Sequence, residues 1–481
     1  MADDTLTADQ QAACAAFATW LAAPQSDRPF VLSGYAGTGK TFLSMRFLAQ
    51  AEAAGLCWTV VAPTHKAVGV LRSHLRAAGL TPTWYPSTIH RLLRLRLKRQ
   101  GDLERCEESE QTSAALEHLA LVLIDEASML DSQLLEISLR CAHPFRTRLV
   151  FVGDPAQLPP VGEPESAVFG LARAHSAALR QVVRHQGPVL RLAQGIREQA
   201  LPCRRPPPLP PVCSAEGRVA LLDRQEWLLE AQAALRRSAE TDNPDLARIL
   251  CYTNRSLEQL VPIARRALHG AMADQLPVLP GEVLISRSAV MAPACREGEE
   301  AGEEPDMVLG SNRELVVRDV TPERCDLADF GVADAPLIDT LTASVQAGDS
   351  DLNLRLLPPA GSLPRQSLEA VLERLRAAAR ATAREQGKAA ARGMWRQFFL
   401  VRDAFAALGP AAVLTVHRSQ GSTFGQVFVD ADVFWPRDEL LRRQLVYVAV
   451  SRASQAVALV AGPGSRADQR LWACWLREET P

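Results

Sequence analysis

Eight residues, Gly34-Tyr-Ala-Gly-Thr-Gly-Lys40-Thr41, leave this chain little freedom of fold. They follow an apolar run, Phe30-Val31-Leu32, and precede a helical pattern, Phe42-Leu43-Met45-Phe47-Leu48. A strand that turns through glycines into the start of a helix is the setting of a phosphate-binding loop. Gly34, Ala36, Gly37, Thr38 and Gly39 let backbone amides and the helix N-terminus face negative charge. Lys40 reaches β- and γ-phosphates, and the Thr41 hydroxyl suits Mg²⁺. A second segment, Leu121-Val-Leu-Ile-Asp125-Glu126, reads as a buried strand delivering two carboxylates at its end. Asp125 would ligate the metal or stand behind it, and Glu126 would orient and polarise an attacking water. An acidic pair at a strand end is commonly only a solvated turn; beside a phosphate loop it implies binding and hydrolysis of a Mg²⁺-nucleotide.

Composition restricts the rest. At 481 residues and 47% hydrophobic, the chain can bury several cores. No stretch reaches the ~18 uninterrupted apolar residues of a membrane span. The opening Met-Ala-Asp-Asp is acidic, so no signal peptide is expected, and the ten scattered cysteines, without a CxxC, read as free thiols of a reducing cytoplasm. With a net charge of −2, any polyanion must be held by local basic surface.

Along the chain, Thr7-Ala-Asp-Gln10 has the form of a capping box, followed by the apolar stripe Ala13, Phe17, Trp20, Leu21. Strands are expected at Cys57–Ala62, ending in Pro63-Thr64-His65-Lys66, and at Arg148–Val152, ending in Gly153-Asp-Pro-Ala-Gln157. Strands alternating with helices predict a parallel sheet whose ligand loops gather at strand C-termini. The phosphate loop, Thr64, Asp125 and Gln157 all fall at such ends. The alternation Arg94-Leu-Arg-Leu-Lys-Arg99 predicts a β-hairpin insert over 94–118, with a helix continuing from Ile89 as the competing reading. Pro202–Pro211 reads as a stiff spacer. A second α/β region begins at Arg248-Ile-Leu-Cys-Tyr-Thr-Asn254 and resumes near Ala412. Residues 276–409 look inserted, β-like at first and helical from about Ser367. Arg376, Arg380, Arg384, Lys388, Arg392 and Arg396 recur at steps of four. One winding cationic stripe results: a track for a nucleic-acid backbone or, more plainly, a solvated face.

The remaining clusters are Ser87-Thr-Ile-His90, Thr415-Val-His417-Arg-Ser-Gln-Gly421-Ser-Thr423 and Leu445-Val-Tyr447-Val-Ala-Val-Ser-Arg452-Ala453. In order with the earlier motifs, they resemble superfamily 1B DNA helicases, the RecD-like group, and especially the phage-type Dda helicases. The resemblance implies two RecA-like P-loop motor domains with parallel sheets flanked by helices, the first at 1–93 and 119–178, the second at 179–275 and 410–481. It implies a pin-type hairpin at 94–118 and an SH3-like plus helical tower insert at 276–409. Gln10 then corresponds to an adenine-reading glutamine, Gln157 to a γ-phosphate sensor, and Arg184 and Arg452 to arginines supplied by the second motor domain. Gly421 joins the nucleotide set. Pro63, Thr64, His65, His90, Thr253, Asn254, Thr415 and His417 match residues lining a single-strand channel. The activity so implied is ATP-driven, 5′-to-3′ movement on single-stranded DNA with unwinding at duplex junctions, by a monomeric motor. The alternative is a translocase acting on RNA or displacing proteins, since the pin region has no aromatic wedge.

Overall fold

Two six-stranded sheets and one five-stranded sheet organise the computed structural model. It describes residues 6–23, 28–100, 103–160, 162–171, 175–181, 187–291, 307–333, 335–348 and 350–477. The first sheet is parallel throughout, in the order Ser87–Thr88, Trp58–Ala62, Leu121–Ile124, Arg148–Gly153, Phe30–Gly34, His175–Leu179. Its strands alternate between two cores, as a period of two requires. Phe30, Leu32, Val60, Leu123 and Val150 face one core; Val31, Val61, Val122, Ile124 and Phe151 face the other. In the first core Phe17 of helix Ala8–Ala22 stacks on Phe47 of helix Lys40–Ala53 at 4.0 Å, and both meet the edge of Phe30. Because the strands share one direction, their C-terminal loops open along a single edge, which is where the phosphate loop and Asp125 lie.

The second sheet runs Val413–Thr415, Ala247–Cys251, Phe424–Val429, Ala453–Val460, Gly217–Leu222, Leu209–Ser214. Only the last strand is antiparallel. The fold class is thus α/β, with two largely parallel sheets flanked by helices, as the motifs imply. The proline run is corrected: it is not a spacer throughout. Leu209–Ser214 pairs with Gly217–Leu222, and Pro210 and Pro211 together stand opposite Ala220 in a bulge. An edge strand tolerates proline because its outer amides need no partner, and the bulge absorbs the extra residue.

By its internal contacts the chain divides into two units, one of residues 1–96, 107–260 and 413–481 with both six-stranded sheets, the other of residues 97–106 and 261–412. In the second unit, strands Ser350–Arg355, Ile338–Ala347, Glu314–Cys325, Val283–Ser286 and Leu408–Pro410 form an antiparallel sheet. Helix Leu363–Glu385 packs beside helix Arg392–Asp403. The single cationic stripe does not form. Gly387 turns at φ +91°, so Arg392 and Arg396 sit on a separate helix, while Arg376 pairs with Glu373 at 2.8 Å and lies over Phe398. The hairpin of Arg96–Gln100 and Leu103–Glu107 is shorter than 94–118, since beyond it the chain coils into turns that bury Thr112, Ala115 and Leu116. The acidic stretch from Glu297 to Asp306 lies outside the described residues. Among the described residues, no helix is long and apolar enough to cross a membrane.

Candidate active site

The phosphate loop is held by its own backbone and by the first helix. Gly37 and Gly39 have φ of +81° and +84°, a conformation that glycine adopts without strain. A side chain on Gly39 would meet Gln10 Nε2 at 2.6 Å, and one on Gly34 would meet Thr38 Oγ1 at 2.8 Å. Gln10 is buried and doubly engaged. Its Oε1 accepts from Thr7 N at 3.1 Å, completing the capping box, and its Nε2 donates to Thr38 O at 3.1 Å. Lys40 Nζ donates to Gly34 O at 2.8 Å and Tyr35 O at 3.0 Å, folded back over the loop. Thr41 lies in the first turn of the following helix.

At the end of the neighbouring strand, Asp125 N donates to Val61 O at 2.9 Å and Asp125 Oδ1 accepts from Glu126 N at 2.9 Å. Burial, then the adjacent Glu126 charge, hold the Asp125 carboxyl well above the usual carboxylate range, with the Glu126 amide and Lys40 opposing. Glu126 adopts φ +51°, uncommon outside glycine, and its Oε2 is buried without a hydrogen-bond partner. Gln157 Oε1 is orphaned in the same way. Buried polar atoms are nearly always paired, so two orphans at strand ends beside a phosphate loop fit a ligand that supplies the missing partners. The donor set fits Mg²⁺ as well, an ion commonly bound through one or two carboxylates plus phosphate oxygens and water.

Residues of the helices and loops that flank the second sheet reach this edge. Tyr447, on helix Glu439–Ser451, accepts from Ala36 N at 2.9 Å and donates to Asp154 Oδ2 at 2.7 Å. Arg197, at the end of helix Pro188–Arg197, places its guanidinium 3.5 Å from the Tyr35 ring centroid. Gln420 Nε2 donates to Leu158 O at 3.2 Å. Arg197 is not singled out by sequence; Tyr447 stands in the C-terminal motif, but nothing in that motif names Ala36 or Asp154 as its partners. Arg452 is buried within its own domain, donating to Val448 O, Ser422 O and Ser451 Oγ at 3.2, 3.1 and 3.0 Å. Arg184 lies outside the described residues.

The expected channel residues fall at strand ends of both sheets. Pro63 and Thr64 follow strand Trp58–Ala62; Thr64 caps the helix that begins at His65, and Thr88 caps the short helix bearing His90. On the second sheet, Thr253 is fixed by Asp432, its N and Oγ1 donating to Oδ2 at 2.8 and 3.0 Å, just before helix Asn254–His269. Thr415 ends its strand, and His417 lies 6.1 Å from the Tyr252 ring. Gly421, expected in the nucleotide set, lies beside Thr64 and Ala67: a side chain there would meet Ala67 Cβ at 3.6 Å and Thr64 Oγ1 at 3.7 Å. Lys66 extends the contact, 3.8 Å from Asp245 and over the Phe424 ring.

Burial holds the His90 and His417 imidazoles below their ordinary range, with Asp131 opposing for His90. The unfolded chain therefore takes up protons at these positions first as pH falls below about 6.5, and stability is lost from there through the folded pKa values. Thermal midpoints at pH 7.5 and 5.5 should show that loss, and a His90→Gln/His417→Gln variant should lose less than wild type. An equal loss in both would remove these imidazoles as its source.

Comparison with known proteins agrees with this geometry. An AAA domain model matches residues 5–201, and a UvrD-like helicase C-terminal domain model matches residues 410–460. The ATP-dependent DNA helicase dda of Enterobacteria phage T4 is 24% identical over 89% of this chain and 93% of its own. The ATP-dependent RecD2 DNA helicase of Deinococcus radiodurans is 32% identical over 35% of this chain and 22% of its own. An uncharacterized protein of Acanthamoeba polyphaga mimivirus is 32% identical over 29% of this chain and 31% of its own. The chain thus spans about a third or less of the length of two of these relatives. Among solved structures, Bacteroides Pif1 bound to single-stranded DNA aligns over 95% of this chain and 92% of that one, at 16% identity and TM-score 0.45. The phosphate loop and the domain models point the same way, to a P-loop enzyme that hydrolyses ATP. In its two matched domain models and its likeness to dda and RecD2, the chain is similar to the superfamily 1B helicases.

Proposed function

We propose that this protein moves 5′-to-3′ along single-stranded DNA and unwinds duplex at junctions, driven by Mg²⁺-ATP hydrolysis between its two sheets. The observation that carries the proposal is the seam itself: the phosphate loop and Asp154 of one sheet are bonded by Tyr447 of the other. Lys40 and the loop amides bind phosphate, Thr41 and Asp125 hold Mg²⁺, and Glu126 orients water. Gln157, Arg184 and Arg452 respond to the γ-phosphate. Mg²⁺ supplies charge neutralisation at the phosphates when bound. ATP favours the closed arrangement by its differential affinity for it, and hydrolysis releases that arrangement. Thr64, His65, His90, Thr253, Asn254, Thr415 and His417 hold successive phosphates without reading sequence. The polarity rests on the resemblance to phage-type Dda helicases.

The deciding experiment offers duplexes carrying either a 5′ or a 3′ single-stranded tail, with ATP and Mg²⁺. Separation of the 5′-tailed duplex alone is the expected result; preference for the 3′ tail would reverse the polarity. A second reading, a translocase on RNA or against bound proteins, is favoured by the absence of Phe, Trp or Tyr from 94–118. ATP turnover stimulated by single strands, with neither tailed duplex opened, would select it.

A further inference from the structure

We infer that Tyr447 is a positioning residue that couples the phosphate loop to Arg452, an inference that rests on the two-sheet motor reading. Its phenol joins three parts of the machinery. The oxygen accepts from Ala36 N, inside the phosphate loop, and donates to Asp154 Oδ2. Asp154 is fully buried and also accepts from Ala156 N at 3.0 Å, while Asp154 O accepts from Gln157 N at 3.1 Å. One carboxylate therefore fixes both the tyrosine and the turn that carries Gln157. A phenol is protonated at neutral pH, and burial, then the Asp154 charge, raise this one further, so the proton it holds is donated to Asp154.

The third part is the helix. Tyr447 sits in an unbroken buried stretch, Leu445 to Val450, and Arg452 caps the helix end. A close-packed helix moves as a unit, so a displacement of the phosphate loop or of the Gln157 turn is passed to Arg452 through the phenol. Arg452 is meanwhile retained by three hydrogen bonds within its own domain. Its delivery to phosphate exchanges those bonds, and the Tyr447 anchor sets where the helix stands when that happens. Arg197 over Tyr35 gives the same loop a second contact from the second sheet.

The bland alternative is a buried tyrosine that merely satisfies its hydroxyl. Tyr447→Phe in the full chain separates the two, because it keeps the ring packing and removes only the link. Equilibrium binding of a fluorescent ATP analogue with Mg²⁺ should stay within about threefold of wild type, whereas kcat for ATP should fall about tenfold or more, without and with oligo-dT. Asp154→Asn, which leaves a weaker neutral acceptor, should show a smaller loss of the same kind and carries the test if Tyr447→Phe does not fold. An unchanged kcat, or a kcat loss matched by an equal loss of nucleotide binding, overturns the coupling role. If wild-type turnover shows no response to DNA, the helicase reading fails, while the DNA-free kcat ratio still decides on Tyr447.

Discussion

Lys40→Ala is expected to reduce ATP turnover at least about 100-fold and to abolish unwinding, with the thermal midpoint little changed. The two effects separate because of what Lys40 touches. Among the described residues its ammonium bonds backbone carbonyls, Gly34 O and Tyr35 O, at a partly open site, so its removal leaves groups that water can satisfy. The folded state therefore loses little. The transferring phosphoryl group, by contrast, loses a cation at the position where charge accumulates. Steady-state phosphate release, read beside a thermal melt, checks both statements. A variant within tenfold of wild type would show that Lys40 does not act on the phosphates.

Glu126→Gln should lower kcat by about 10²–10⁴-fold while nucleotide still binds. Glutamine preserves the shape and the φ of +51° but cannot polarise water as a carboxylate does. Oε2 of Glu126 is buried without a partner, and its charge is one reason Asp125 is held above its usual range. Neutralising it should therefore let Asp125 ionise more readily, so Mg²⁺-ATP affinity should be kept or improved. Single-turnover hydrolysis and equilibrium binding, measured together, test the pair of effects. Loss of binding in step with loss of turnover would assign Glu126 to nucleotide retention instead.

What could be read from the chain was what local pattern dictates. The P-loop strand and helix, the Asp125-Glu126 strand end and the alternation of strands with helices each follow from a few adjacent residues, and the first sheet has the parallel order they imply. Contacts made at long range left no such trace. Tyr447 and Ala36 are 411 residues apart, and a tyrosine in an apolar helix carries no sign of its partner. Pro210 and Pro211 read as spacer because a bulge opposite Ala220 is a property of pairing, not of the segment. The cationic run read as one stripe because Gly387 weakens a helix in sequence without declaring that it ends one. The neighbours of Gly421 were hidden for a similar reason: the motif carrying it is recognisable, but its closeness to Thr64 and Ala67 is a matter of packing.

The strand Leu209–Ser214 has a bearing on how such molecules crowd together. It is the free margin of the second sheet, and two consecutive residues there, Pro210 and Pro211, have no amide hydrogen to offer. A stray extended segment arriving alongside finds gaps in the ladder and a kinked template, so sheet-to-sheet polymerisation through this flank is discouraged. Copies of this chain that meet at this flank are thereby kept from fusing at their margins.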